Sequence, residues 1–100
     1  MKFLIKDITR RTGETRTETK YSNRIGSVIE FSNAVKIGEP AYFKYITYND
    51  GTNADNHETQ ISRVDDIEWY EDKFYIYTRN SIYKLVPIED TISEEAGEKS

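Results

Sequence analysis

The last third of the chain alternates apolar and polar residues, and this alternation predicts a three-stranded antiparallel meander between residues 66 and 85. Asn80 tolerates a positive φ, so Arg79-Asn80 is predicted to form a two-residue hairpin loop, and Glu71-Asp72 the preceding tight turn. The two turns are assigned independently, yet both place the same side chains on one face: Ile67, Trp69, Phe74, Ile76, Tyr83 and Leu85. A slip of one residue in either hairpin would break this set, which supports the register.

The meander divides its aromatic residues between two faces. Trp69 and Tyr83 are predicted to be core residues, whereas the opposite face carries Asp66, Glu68, Tyr75, Tyr77, Ile82 and Lys84. Tyrosine is enriched at interface hot spots because it brings a large contact area at modest entropic cost. Four residues of that second face are therefore predicted to bind a protein partner: Tyr75, Tyr77, Ile82 and Lys84. The alternative is that the N-terminal strands cover this face inside a closed barrel.

Earlier segments also have the composition of strands. KFLIKDIT, RIGSVIEF and AYFKYITY are rich in β-branched and aromatic residues, and no segment predicts an amphipathic helix. The sequence therefore predicts an all-β domain, a twisted antiparallel meander of five to seven short strands that curls into a small SH3-like or OB-like barrel. We expect this single domain over residues 1–88, followed by an acidic, loosely ordered tail at 89–100.

A threonine-rich segment near the N-terminus, TRRTGETRTETK, has the period of a strand but little to bury. With Thr12-Gly13 as its turn, it is predicted to fold back on the first strand as a ribbon at about residues 8–20, with Thr17 beside Ile8 and the tip in solvent. Residues 1–24 carry seven basic and three acidic side chains, whereas the rest of the chain is acidic. Such asymmetry indicates either an interaction surface or attraction between the two parts of one fold. The ribbon residues predicted to bind are Arg10, Arg11 and Arg16.

Composition limits the available chemistry. At 100 residues the chain is long enough for one core, and its thirteen aromatic residues offset a low hydrophobic content of 36%. The chain has no cysteine, which excludes disulfides, thiolate metal sites and a cysteine nucleophile. No apolar run reaches the length of a membrane span or of the apolar part of a signal peptide, so we expect a soluble, cytoplasmic protein.

The polar residues do not predict an enzyme. The single histidine, His57, lies in a polar loop at residues 48–60, and the chain has no G-x-S-x-G elbow. Adjacent carboxylates such as Asp65-Asp66 point to opposite faces of a strand. The loop lacks the spacing of a calcium site, and the scattered glycines match no phosphate-binding motif. We therefore expect no catalytic residue, no cofactor and no bound metal.

Two other binding functions stay open. A small-ligand or cyclic-nucleotide sponge would use Arg63, Arg79 and the loop at 48–60. A binder of single-stranded nucleic acid would stack bases on Tyr75 and Tyr77 and contact phosphates with the ribbon arginines. The acidic net charge of −4 argues against nucleic acid, because nucleic-acid-binding domains are usually basic. The favoured partner is a protein, with a small nucleotide second and nucleic acid third.

The segment ISRVDDIEWYEDKFYIYTRNSIYKL resembles a hairpin pattern, I-x-T-x-N-S-x-Y-x-L, of small orphan β-proteins from bacterial phages and mobile elements. The matching residues are Ile76, Thr78, Asn80, Ser81, Tyr83 and Leu85. The resemblance implies a short, soluble, non-enzymatic accessory protein; some such proteins are anti-CRISPR or other anti-defence inhibitors. It implies no active-site residue. We expect a protein that inhibits a host protein by occlusion.

Overall fold

Six antiparallel strands follow one another along the chain, and each pairs with its neighbour in sequence. Their bounds are β1 Lys2–Arg10, β2 Val28–Phe31, β3 Pro40–Thr47, β4 Glu58–Tyr70, β5 Lys73–Thr78 and β6 Ser81–Ile88. β6 returns to pair with β1, so the meander closes into a barrel. The all-β fold and its curling into a small barrel are therefore confirmed. The computed structural model describes residues 1–88, and the acidic tail predicted at 89–100 lies outside them.

The barrel interior is filled by every second residue of its strands, as the alternating pattern predicts. Closure pairs β1 with β6, so within residues 1–88 neither end of the meander is an open edge strand. Each fully buried aliphatic or aromatic side chain contributes about 1.5–3 kcal/mol through removal from water. The strand residues of the core are Phe3, Ile5, Ile8, Ile29, Ala41, Phe43, Tyr45, Ile61, Val64, Phe74, Ile76, Tyr83 and Leu85.

The predicted register of the C-terminal meander is confirmed. Trp69 pairs with Phe74 across the first hairpin, and Tyr77 pairs with Ile82 across the second. The two turns differ in conformation. Glu71-Asp72 has positive φ at both residues, 51° and 63°, which is the arrangement of a type I′ hairpin turn.

The second hairpin does not use the positive φ that was expected at Asn80. Its loop is closed instead by Thr78, whose Oγ1 accepts a hydrogen bond of 3.1 Å from the backbone N–H of Ser81. Both side chains are buried. The position of this loop was therefore predicted correctly, and Thr78 and Ser81 close it as their places in the hairpin pattern suggest, whereas Asn80 supplies no positive φ.

Trp69 was predicted to lie in the core, and this was wrong. Its side chain is 56% exposed, although it sits on the inward-facing side of β4 and stacks on Phe74 with ring centroids 4.6 Å apart. Trp69 is the penultimate residue of β4, at the mouth of the barrel. Its inward direction therefore points past the packed core rather than into it.

The segment after β1 folds back, but one residue out of the predicted register. Thr15 pairs with Thr9, and the backbone N–H of Arg16 donates to the carbonyl of Ile8 at 2.8 Å. Because side chains of paired residues share a face, this register places Arg16 on the side of the buried Ile8, where Thr17 was expected. The pairing ends there, and a four-residue helix that was not predicted, α1 (Thr19–Ser22), leads toward β2.

Candidate functional site

The outer side of β5 and β6 carries the residues predicted for protein binding. Tyr75 pairs with Lys84 and Tyr77 pairs with Ile82, so the four side chains form two adjacent cross-strand pairs. All four are half-buried on the outside of the barrel, while their neighbours in sequence fill the core. The alternative arrangement, with the tyrosine rings inside a closed barrel, is therefore not the one adopted.

Tyr70 extends this surface and was missed from the sequence. It lies two residues after Glu68 on β4, and strand alternation therefore directs both side chains outward. Its side chain is 58% exposed. The alternation already contained this signal, but Tyr70 lies beside the predicted turn and was not included. We call this surface the tyrosine face; it consists of Tyr70, Tyr75, Tyr77, Ile82 and Lys84.

The ring of Tyr77 is held from two sides. Its hydroxyl donates a hydrogen bond of 2.8 Å to Oε1 of Glu68, and this bond to a carboxylate raises the pKa of the phenol. The guanidinium carbon of Arg11 lies 5.4 Å from the centre of the ring, within the range of a cation–π contact. Arg11 is itself fixed by a 2.8 Å hydrogen bond to the carbonyl of Thr78. The centre of the tyrosine face is thus ordered before any partner binds.

The three ribbon arginines do not form one surface. Arg11 reaches the tyrosine face, and Arg10 stays exposed in an ion pair of 3.2 Å with Glu18. Arg16 differs from the prediction because it is buried, with only 8% of its surface exposed. Its guanidinium donates to the carbonyl of Asn80 and to Oγ of Ser81, at 2.8 and 3.2 Å. Arg16 therefore fastens the N-terminal segment to the β5–β6 hairpin.

Arg63 and Arg79, predicted for a small ligand, line the same surface cavity of about 510 Å³. They come from different parts of the fold, since Arg63 lies within β4 and Arg79 lies in the β5–β6 loop. The other lining residues are Ser62, Asp65 and Asn80. The structure thus brings together two cations that are sixteen positions apart in the sequence.

The loop at 48–60 does not join that cavity. It is folded by its own turns, in which Asp50 and Asn53 accept backbone hydrogen bonds from Thr52 and Asp55. The ring nitrogen Nδ1 of His57 lies 3.3 Å from the hydroxyl of Tyr48. Within residues 1–88 no group of three or more histidine or carboxylate side chains is arranged to hold a metal ion.

A buried polar contact inside the barrel was also missed from the sequence. Arg24 is 9% exposed, and its guanidinium donates a 2.7 Å hydrogen bond to the hydroxyl of Tyr83. Burial raises the pKa of the Tyr83 phenol, while the nearby Arg24 acts in the opposite direction. The ring of Tyr21 covers this arginine, with its centre 5.9 Å from the guanidinium carbon. These contacts satisfy a buried cation without a carboxylate, and they serve the fold.

Comparison with protein-family models, with curated proteins and with solved structures found no match. Across residues 1–88 no helix is long and apolar enough to cross a membrane. The geometry of the surfaces themselves is therefore the basis for a functional proposal.

Proposed function

We propose that this chain is a non-catalytic binding protein that inhibits a protein partner by occluding part of its surface. In this proposal it is an accessory protein of a phage or mobile element, in keeping with the hairpin resemblance. The observation that carries the proposal is the tyrosine face, where three tyrosines and an isoleucine stand on the outside of a closed barrel. A barrel with a complete core does not need these rings for its own interior.

The composition of the tyrosine face favours a protein as the occupant. Tyrosine, arginine and isolated aliphatic groups bordered by charges are typical of interface centres. Tyr77 is held by Glu68 and Arg11, so it loses little rotational freedom when a partner covers it. A rigid barrel that presents ordered rings is well suited to occlusion, because the partner meets a surface that does not have to rearrange.

The charges around the face define the chemistry of the partner. Asp66 and Glu68 lie along β4, on one side of the tyrosines, and Lys84 lies along β6, on the other. A complementary partner surface would carry an apolar centre with basic groups toward β4 and an acidic group toward β6. The carboxylates beside Tyr77 disfavour a nucleic-acid backbone at this face, since they would repel its phosphates.

The proposal is tested with three forms of the full chain: wild type, Tyr77→Ala and Tyr42→Ala. Tyr42 is a matched control because it is an exposed tyrosine on β3, 37% accessible, away from the tyrosine face. A partner captured from the native host is purified, and its affinity for each form is measured. We expect Tyr77→Ala to weaken binding roughly 30-fold, about 2 kcal/mol, and Tyr42→Ala to leave it unchanged.

Two further readouts separate occlusion from the other functions. A complex with a protein partner survives moderate salt, whereas a complex with nucleic acid weakens steeply as salt rises. The partner is recovered with unchanged mass if no turnover occurs. Equal affinity of the wild type and Tyr77→Ala would overturn the role of the tyrosine face, and chemical modification of the partner would overturn the non-catalytic assignment.

A further inference from the structure

The cavity lined by Arg63 and Arg79 lies beside an irregularity in β4. The pairing of β4 with β5 shifts register between Val64 and Asp66, so that Asp65 is the extra residue of a bulge. Bulges redirect side chains and are common next to functional sites. Here the bulge immediately follows Arg63, which faces the same cavity as Arg79 and Asn80 of the β5–β6 loop.

Neither arginine of the cavity has a hydrogen-bond acceptor in the described part of the chain. Within residues 1–88 no hydrogen bond, ion pair or ring contact engages the guanidinium of Arg63 or of Arg79. The other three ribbon and loop arginines differ, because Arg10, Arg11 and Arg16 all bind groups of the protein. Two guanidinium groups that face one cavity without a protein acceptor have their donor atoms available for an external anion.

The loop that carries Arg79 is fixed in place. Arg11 and Arg16 donate to the carbonyls of Thr78 and Asn80, each at 2.8 Å. The carbonyl of Ser81 accepts from Oγ1 of Thr78 at 3.2 Å. These three hydrogen bonds order the backbone that carries Arg79 before an anion binds.

The lining of the cavity is more basic than the chain as a whole, whose net charge is −4. Arg10 pairs with Ser81 across β1 and β6, and Arg16 contacts the same serine, so the ribbon arginines surround the β5–β6 loop. Acidic side chains offset these ribbon arginines, since Glu18 pairs with both Arg10 and Arg16 and Glu68 binds the tyrosine that Arg11 covers. The cavity lining itself carries Arg63 and Arg79 against the single carboxylate of Asp65, and this local excess of positive charge favours an anion there.

We infer that this cavity binds a small phosphate ester of a hydroxylated compound, such as a mononucleotide. The planar fork of arginine matches phosphate oxygens through paired hydrogen bonds, and two forks can hold one phosphate. A volume of about 510 Å³ falls within the range of small-molecule sites. The carboxylate of Asp65 would accept a hydrogen bond from a hydroxyl group of the ligand, while Ser62 and Asn80 supply uncharged hydrogen-bonding groups. This site is independent of the tyrosine face and adds a ligand to the proposed protein-binding function.

Titration calorimetry with the full chain tests this inference, using AMP, adenosine and inorganic phosphate as separate probes. We expect AMP to bind, phosphate to bind more weakly, and adenosine not to bind. Arg63→Gln and Arg79→Gln are each expected to weaken AMP binding about tenfold, because each removes charged hydrogen bonds. Lys73→Gln is the matched control, since Lys73 lies at the opposite end of β5 and outside the cavity.

The outcomes are decisive because both arginines are exposed and their substitution leaves the core intact. Unchanged unfolding midpoints verify this for every variant. Absence of binding by AMP and phosphate overturns the inference, as does binding that both arginine variants retain. Equal binding of adenosine and AMP would also overturn it, since the affinity would then not depend on the phosphate. Failure of the tyrosine-face experiment would not affect any of these results.

Discussion

The guanidinium of Arg16 donates a 2.8 Å hydrogen bond to the carbonyl oxygen of Asn80, 64 positions later in the chain. The same group donates to Oγ of the buried Ser81. This contact joins the segment after β1 to the β5–β6 hairpin, beside the seam where the first and last strands close the barrel. Arg16 is therefore a clamp that holds these two segments together beside the closure of the sheet. It also forms an ion pair with Glu18.

Arg16→Ala is expected to destabilise the protein by about 2–3 kcal/mol, because the substitution empties a buried position and leaves the buried hydroxyl of Ser81 and the carbonyl of Asn80 without their charged donor. Arg10→Ala is the matched control: Arg10 also pairs with Glu18, but its side chain is 50% exposed, and exposed pairs add little. The free energy of unfolding is measured by urea denaturation followed by circular dichroism. Equal losses for the two variants would contradict the clamp.

The register of the meander was predictable because it depends on short-range features. Two tight turns separate three alternating segments, and only one register puts the apolar side chains on a common face. Arg16 was not predictable in this way. Its neighbours in sequence are polar and exposed, and its burial depends on a loop that lies 64 positions away. No local pattern distinguishes such an arginine from one in solvent.

The exposure of Trp69 shows a second limit of prediction from the sequence. Alternation gave its direction correctly, since it stands on the inner side of β4 and stacks on Phe74. Alternation does not tell where along a strand the core ends, and β4 continues to Tyr70 at the barrel mouth. The Arg63–Arg79 cavity has the same limit. The sequence indicates the two arginines as ligand-binding candidates, but only the three-dimensional path of β4 and of the β5–β6 loop shows that they line one cavity.

Trp69→Ala is expected to cost about 1–2 kcal/mol, because a stacked but half-exposed ring is lost without a cavity in the core. Phe74→Ala, which removes the buried ring on which Trp69 stacks, is expected to cost about 3–5 kcal/mol. Both values come from denaturation followed by circular dichroism. In the wild type, acrylamide is expected to quench the fluorescence of the single tryptophan readily. Weak quenching together with equal costs would show that Trp69 is buried.

Stability is expected to fall at alkaline pH because of Tyr83. Burial raises the pKa of its phenol above the ordinary value of 10.0, so the folded chain holds this proton more tightly than the unfolded chain. The stabilisation is complete below the unfolded pKa and is lost as pH rises through the folded pKa. Burial also raises the pKa of Tyr45, which adds to the effect.

The test compares the free energy of unfolding at about pH 9 and about pH 11, on either side of the ordinary tyrosine pKa. Tyr83→Phe is expected to lose less stability between the two values than the wild type, although Arg24 loses a hydrogen-bond acceptor at both. Tyr83→Phe combined with Tyr45→Phe is expected to lose least. An unchanged alkaline loss in the single variant would contradict the role of Tyr83.

Glycine substitutions in the two hairpin loops of the meander are expected to change stability in opposite directions. Asp72 holds a φ of 63°, where an L side chain is strained, so Asp72→Gly is expected to stabilise the protein by about 0.5–1 kcal/mol. Asn80 does not have a positive φ, and Asn80→Gly is expected to destabilise by a similar amount, about 0.5 kcal/mol, because glycine only adds freedom to the unfolded chain. Urea denaturation of both variants measures the difference. Shifts of the same sign would contradict the assignment of a type I′ turn to the first hairpin and of a threonine-closed loop to the second.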